Sequence, residues 1–183
     1  MFKILALIVL VFVTGLPSYL QAQDHSPKAV ALAKSLDKNK YKKKDNRYVS
    51  IEIYIDIKNE PALKSPADYS GVYGDENRGY ELDLKVAANG GAVGSGYDTI
   101  GFESGSSMMD FKLKDAHVSG AVLTGTKVYK NGMTESLEAV FVNRTVVVGK
   151  NANEIKSRDT SFGLGFIQTN RDSSSRVFLE KIN

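Results

Sequence analysis

The chain has no cysteine and no tryptophan, only two histidines, and only four prolines in 183 residues. Without cysteine there can be no disulfide, thiolate metal site, thiol nucleophile or lipid-carrying anchor residue. His25 and His117 are the only imidazoles, too few for a histidine metal cage. Proline is absent after Pro66, whereas 15 of the 16 glycines lie beyond it. That division suits antiparallel strands whose interiors need every backbone donor and whose turns use glycine. Nothing reads as a Walker loop. Gly94-Ser95-Gly96 lacks a third glycine, and Gly101 to Gly105 places its serine one position late for a nucleophile elbow. No catalytic set, metal or cofactor is expected.

What is present begins with an apolar run. Lys3 precedes ten unbroken apolar residues, Ile4 to Val13, which Gly15 and Pro17 interrupt before the small Ala22. This is the pattern of a signal peptide over 1–22, and a secreted or periplasmic protein is expected. Polar residues from Thr14 onward leave the run short of the roughly 20 residues that a membrane helix needs. No span is expected once the signal is removed.

Charge divides the remainder. Residues 23–47 carry eight basic and three acidic side chains, and the chain from Tyr48 onward carries 15 basic and 18 acidic ones. A basic arm therefore precedes a single β domain over 48–183. In the arm, Ser26 is a good N-cap and Pro27 fits the first helical position. Ala29, Leu32, Ala33 and Leu36 recur at helical spacing, so a short amphipathic helix is expected to dock on its own sheet. Lys42, Lys43 and Lys44 are the candidates for contact with an anionic surface. The alternative is a solvated lysine face closing the helix. Tyr41 is the arm's only aromatic residue, which makes nucleic acid an unfavoured partner.

From Val49 to Ile57 the apolar period changes to two, giving the clearest strand. Further strands are expected at Tyr69 to Tyr73, Tyr80 to Val86, Ala92 to Ile100, around Phe111, Ala121 to Tyr129, Leu137 to Val148, Phe162 to Thr169 and Arg176 to Ile182. Asn89-Gly90-Gly91 marks a turn. Asn131-Gly132 suits a type I′ hairpin, where both residues take positive φ. The fold class is mainly β: an antiparallel meander of about eight strands, neighbours pairing in order, as a barrel or sandwich with one short N-terminal α-helix. Charged Lys112, Lys114, Glu138, Arg144 and Glu180 within the strands argue against an outer-membrane barrel.

Gly71-Val72-Tyr73, followed by this meander, resembles the opening of small exported barrels of the lipocalin and avidin type, the calycin-like folds, with Tyr73 in place of their tryptophan. The resemblance implies that a Gly-x-aromatic element closes one barrel end. Phe111 to Lys114, Thr126 to Gly132 and Phe141 to Thr145 are similar to a family of uncharacterised exported bacterial β-barrel proteins.

Other chemistry is sparse. Asp115 and His117 share a strand face and could form an orienting pair, with a surface histidine as the simpler reading. Asp75, Asn77, Glu81 and Asp83 supply oxygen donors near a turn but fail calcium-loop spacing. Asn143-Arg144-Thr145 fits the glycosylation rule yet falls inside a strand. The leading expectation is a non-enzymatic exported barrel that binds a small apolar ligand or a protein or envelope partner. Second is a hydrolase of envelope material using a carboxylate acid–base pair.

Overall fold

The computed structural model describes residues 27–36, 38–41, 50–56, 65–75, 79–102, 105–151, 154–170 and 173–182. The signal segment 1–22, His25, Asn77, Ser104, and Lys42, Lys43 and Lys44 lie outside the described residues. Helix α1 (Pro27–Leu36) is followed by β1 (Lys38–Tyr41), β2 (Ser50–Asp56), a 3-10 turn (Pro66–Tyr69), and strands β3 (Gly71–Asp75), β4 (Tyr80–Val86), β5 (Gly91–Phe102), β6 (Gly105–Ser119), β7 (Val122–Tyr129), β8 (Thr134–Asn151), β9 (Glu154–Asn170) and β10 (Ser173–Lys181).

Strands β3 to β10 pair in order, each antiparallel to the next, and β10 returns to β3 through Glu180↔Gly74 and Lys181↔Tyr73. This ring of eight closes the barrel and removes its edges. The strongest strand of the sequence is not in the ring. β2 pairs with the distal half of β8, from Asp56↔Asn143 to Ser50↔Gly149, where β8 has run past β7. Sequential pairing thus fails between β2 and β3, because the long β8 and β9 hairpin offers β2 a free edge. β1 adds to β2, so strand pairing takes over at Lys38 where the sequence suggested lysines closing a helix.

Alternation sets the two faces. On β4, Tyr80, Leu82, Leu84 and Val86 point inward and are buried, while Asp83 and Lys85 face solvent. The interior is filled by Tyr73, Leu82, Leu84, Leu123, Phe141, Leu164 and Leu179, all essentially inaccessible. Lys112 and Lys114 are exposed on the outer face, the reverse of the distribution that a lipid-facing barrel requires. Among the described residues, no helix is long and apolar enough to cross a membrane.

Glycine allows the strands to coil tightly around this filled core. A Cβ at Gly96 would overlap the Glu81 carbonyl oxygen on β4. At Asn131-Gly132 only Gly132 takes positive φ (86°), so the hairpin is not the expected type I′ turn, in which both residues would. The Asn131 side chain instead accepts the Met133 N–H at 3.0 Å.

Helix α1 docks as expected, on the outside of the barrel. Ala29, Ala33 and Leu36 cover Ala121, Val122, Val140 and Val142, with Phe178 packed beside them. Lys28 pairs with Glu138, and the Arg176 Nε donates to the Ser35 carbonyl at 2.6 Å near the helix's last turn. Leu36 passes so close to Gly165 that a Cβ there would overlap it.

Candidate functional site

The two barrel ends are built differently. At one, the Ser65 hydroxyl accepts the Ala67 N–H at 3.2 Å, and the Asp68 carboxylate accepts the Ser65 N–H at 3.0 Å, which fixes the 3-10 turn. Its last residue, Tyr69, stacks on Phe141 with centroids 4.0 Å apart and on Phe162 at 6.4 Å. Tyr73 donates its hydroxyl to the Tyr69 carbonyl at 2.5 Å. Lys181, from the last strand, lies 5.8 Å from the Tyr73 ring centre and donates to the Asp68 carbonyl at 2.9 Å. Burial lowers the Lys181 pKa and raises that of Tyr73. The Gly71-Val72-Tyr73 element therefore sits at the end that the 3-10 turn covers.

Toward the opposite end the interior is ionic. The inward phase of β7 runs Leu123, Gly125, Lys127, Tyr129, which places a lysine inside the barrel with none of its surface accessible. Its Nζ reaches Glu135 on β8 at 2.6 Å, Asp98 on β5 at 3.1 Å and the Tyr80 hydroxyl on β4 at 3.2 Å. All three ammonium hydrogens are thus used. The charge also lies 5.4 to 5.7 Å from the ring centres of Tyr80, Phe111, Tyr129 and Phe166, within cation–π range.

Asp98, 1% exposed, gathers further partners on the same oxygen. Its Oδ2 accepts from Gln168 Nε2 at 2.9 Å and lies 3.1 Å from the Tyr129 hydroxyl, which is 2.7 Å from Glu135 Oε2. The Glu135 side chain, 29% exposed, is the member of the cluster with access to water. Burial raises the Asp98 pKa, opposed by the Lys127 charge and by hydrogen bonds from Lys127 and Tyr129. Burial also pushes the Tyr80 and Tyr129 hydroxyls up. The negative charges of Asp98 and Glu135 add to both shifts.

Methionine marks the surface at this end. The chain's methionines are Met1, Met108, Met109 and Met133; Met109 and Met133 lie by the β7–β8 hairpin, and Met108 lies on the outer face beside Gly79. The β7–β8 hairpin is tied to the start of β6 by Lys130 N–H to the Asp110 carbonyl at 3.0 Å, and the Asn131 amide lies 3.8 Å from the Met109 sulfur. Met108 is 61% and Met133 42% exposed, while Met109 is half-buried against the core.

The residues singled out from the sequence do not assemble. Asp115 and His117 are both exposed on β6, where a bulge with Asp115 at φ 50° interrupts the register. Glu81 and Asp83 lie on the outer phase of β4, and no metal-binding group of three such side chains occurs among the described residues. Asn143 is buried, which removes it as a glycan acceptor in the folded chain. The cluster was missed although it left a signal: Asp98, Lys127 and Glu135 each occupy the apolar phase of a strand, in line with Ile100, Leu123 and Leu137.

No family model matches the chain, and no curated protein or solved structure matches it.

Proposed function

We propose that this chain is an exported, non-enzymatic binding module of calycin-like shape, which takes a small apolar or amphipathic ligand at the barrel end opposite the 3-10 turn. The observation that carries this reading is the presence of exposed methionine on the strands and hairpin of this end. Unbranched thioether side chains adapt to irregular apolar ligands, and the exposed Met108 and Met133 lie on β6 and the β7–β8 hairpin at this end. Beneath them the polar cluster is internally paired, and around them the exposed Ser107, Asp110, Lys130, Asn131 and Thr134 give the rim an amphipathic character. Export rests on the apolar run ahead of Ala22.

A carboxylate-pair hydrolase would use Asp98 and Glu135, which Lys127 and Tyr129 hold together. Acid–base work requires a substrate within hydrogen-bond reach. Asp98 is buried and engaged with three side chains, which favours binding over hydrolysis.

The test is native mass spectrometry of mature protein purified without denaturation, with displacement of a fluorescent fatty acid from wild type and from the double variant Met108→Glu, Met133→Glu. We expect a co-purified or displaceable small molecule, bound at least tenfold more weakly by the variant, whose circular dichroism is unchanged. Absence of any bound or displaceable ligand in wild type would overturn the reading. Retention of a protein instead would point to a protein partner.

A further inference from the structure

We infer that Met108 and Met133 form an oxidation site: a peroxide converts both to sulfoxides ahead of Met109, and the change switches off apolar binding at this end of the barrel. The second half rests on the ligand reading proposed above. With no cysteine in the chain, no thiol competes with the thioethers for an oxidant. Met1 is the initiator, so Met108, Met109 and Met133 carry that chemistry. Export, as proposed above, takes the chain out of the thiol-buffered cytosol and exposes it to such oxidants.

The fold separates the three sulfurs. Met108 and Met109 are neighbours on β6, and strand alternation sends them to opposite faces. Met108, opposite Thr99 on β5, is 61% exposed, whereas Met109, opposite Asp98, is half-buried against the core. The Asn131 amide also donates toward the Met109 sulfur at 3.8 Å and engages a lone pair that an oxidant would need. Met133, in the β7–β8 hairpin, is 42% exposed. Access to the oxidant therefore favours Met108 and Met133 over Met109.

The step is a two-electron oxidation. The thioether sulfur attacks one oxygen of hydrogen peroxide and the O–O bond breaks. That oxygen stays on sulfur as a sulfoxide, its proton passes to the departing hydroxide, and water leaves. A flexible apolar side chain becomes a polar, chiral one, which removes the property that suits an apolar ligand. The main chain at both sites is held independently of the sulfur. Met133 donates its N–H to Asn131 Oδ1 at 3.0 Å and accepts the Tyr129 N–H at 2.9 Å, while Met108 stays in register with Thr99. Oxidation there changes the surface and leaves the barrel intact. The same oxygen on Met109 would set a polar group against the core.

The test treats mature protein with graded hydrogen peroxide and maps each sulfoxide by mass spectrometry, with fragmentation that separates Met108 from Met109. Displacement of a fluorescent fatty acid is measured before and after. In the folded chain Met108 and Met133 should oxidise at least about threefold faster than Met109, and in urea the three rates should converge. Peroxide should weaken binding at least about tenfold with circular dichroism unchanged, and a thiol-driven methionine sulfoxide reductase should restore it. The readout for variants is the ratio of affinities after and before peroxide. Met108→Leu with Met133→Leu should hold that ratio at one, and Met109→Leu should show the full loss. Met109 oxidised as fast as the other two, an order that persists in urea, or oxidised protein that binds as tightly as before would overturn the inference. Wild type that takes no probe before peroxide would overturn the ligand reading and the switch with it, while the mapping alone still decides the order of oxidation.

Discussion

Replacing Lys127 by methionine keeps the length and apolar stem of the side chain and removes only the ammonium. Three hydrogen bonds are lost, to Glu135, Asp98 and Tyr80, together with the charge held among four rings. Removing one partner of a buried ion pair typically costs about 3–5 kcal/mol, since the other charge is left uncompensated. Glu135 and the buried Asp98 are the partners left behind, and the 29% exposure of Glu135 lets water compensate its charge in part. We therefore expect a loss of at least about 3 kcal/mol, the low end of that range. For a domain of this size each kcal/mol moves Tm by about 2–4 °C, so the drop should be at least about 6 °C. Urea denaturation gives the free energy and calorimetry gives Tm. Adding Glu135→Gln to Lys127→Met should recover at least half of the loss, because an uncharged replacement of a buried pair is often close to neutral. The double-mutant cycle should then show coupling of about 2 kcal/mol. A single variant within about 0.5 kcal/mol of wild type, or a double variant in which the two losses add, would show that Lys127 and Glu135 do not act as a pair.

Three other outcomes follow from named contacts. Gly96→Ala should cost about 1–3 kcal/mol in urea denaturation, because its Cβ would overlap the Glu81 backbone oxygen, whereas Gly101→Ala, with open space around it, should stay within about 0.5 kcal/mol. Leu36→Ala should cost about 2 kcal/mol or more by removing the helix residue seated on Gly165, while near-UV dichroism of the barrel aromatics is unchanged. Tyr73, Tyr80 and Tyr129 have hydroxyl pKa values raised by burial, so they favour folding below the ordinary tyrosine value of about 10, and that contribution is lost as pH rises above it. Each group then removes about 1.4 kcal/mol per pH unit, and phenolate absorbance from these three should appear together with unfolding rather than before it.

Much of this protein could be read from its residues in order. Period two over Tyr80 to Val86 fixed which face of β4 is buried, because a strand's side chains alternate regardless of what lies across from them. The i, i+3, i+4 spacing of Ala29, Leu32, Ala33 and Leu36 likewise fixed a one-sided helix, and the absence of proline after Pro66 left every later strand free to pair on both edges. These are local properties, and local chemistry determines them. Tertiary structure decided where long-range partners meet. β2 looked like one more strand of the meander, but its pairing depends on how far β8 outruns β7, a quantity set by ring closure some 90 residues later. Asp98, Lys127, Glu135 and Gln168 lie on four different strands, each with an unremarked polar residue in its apolar phase. Only closing the barrel links Gln168 to Asp98, and Asp98 and Glu135 to Lys127, and only there does removal from water force each charge to find its partner.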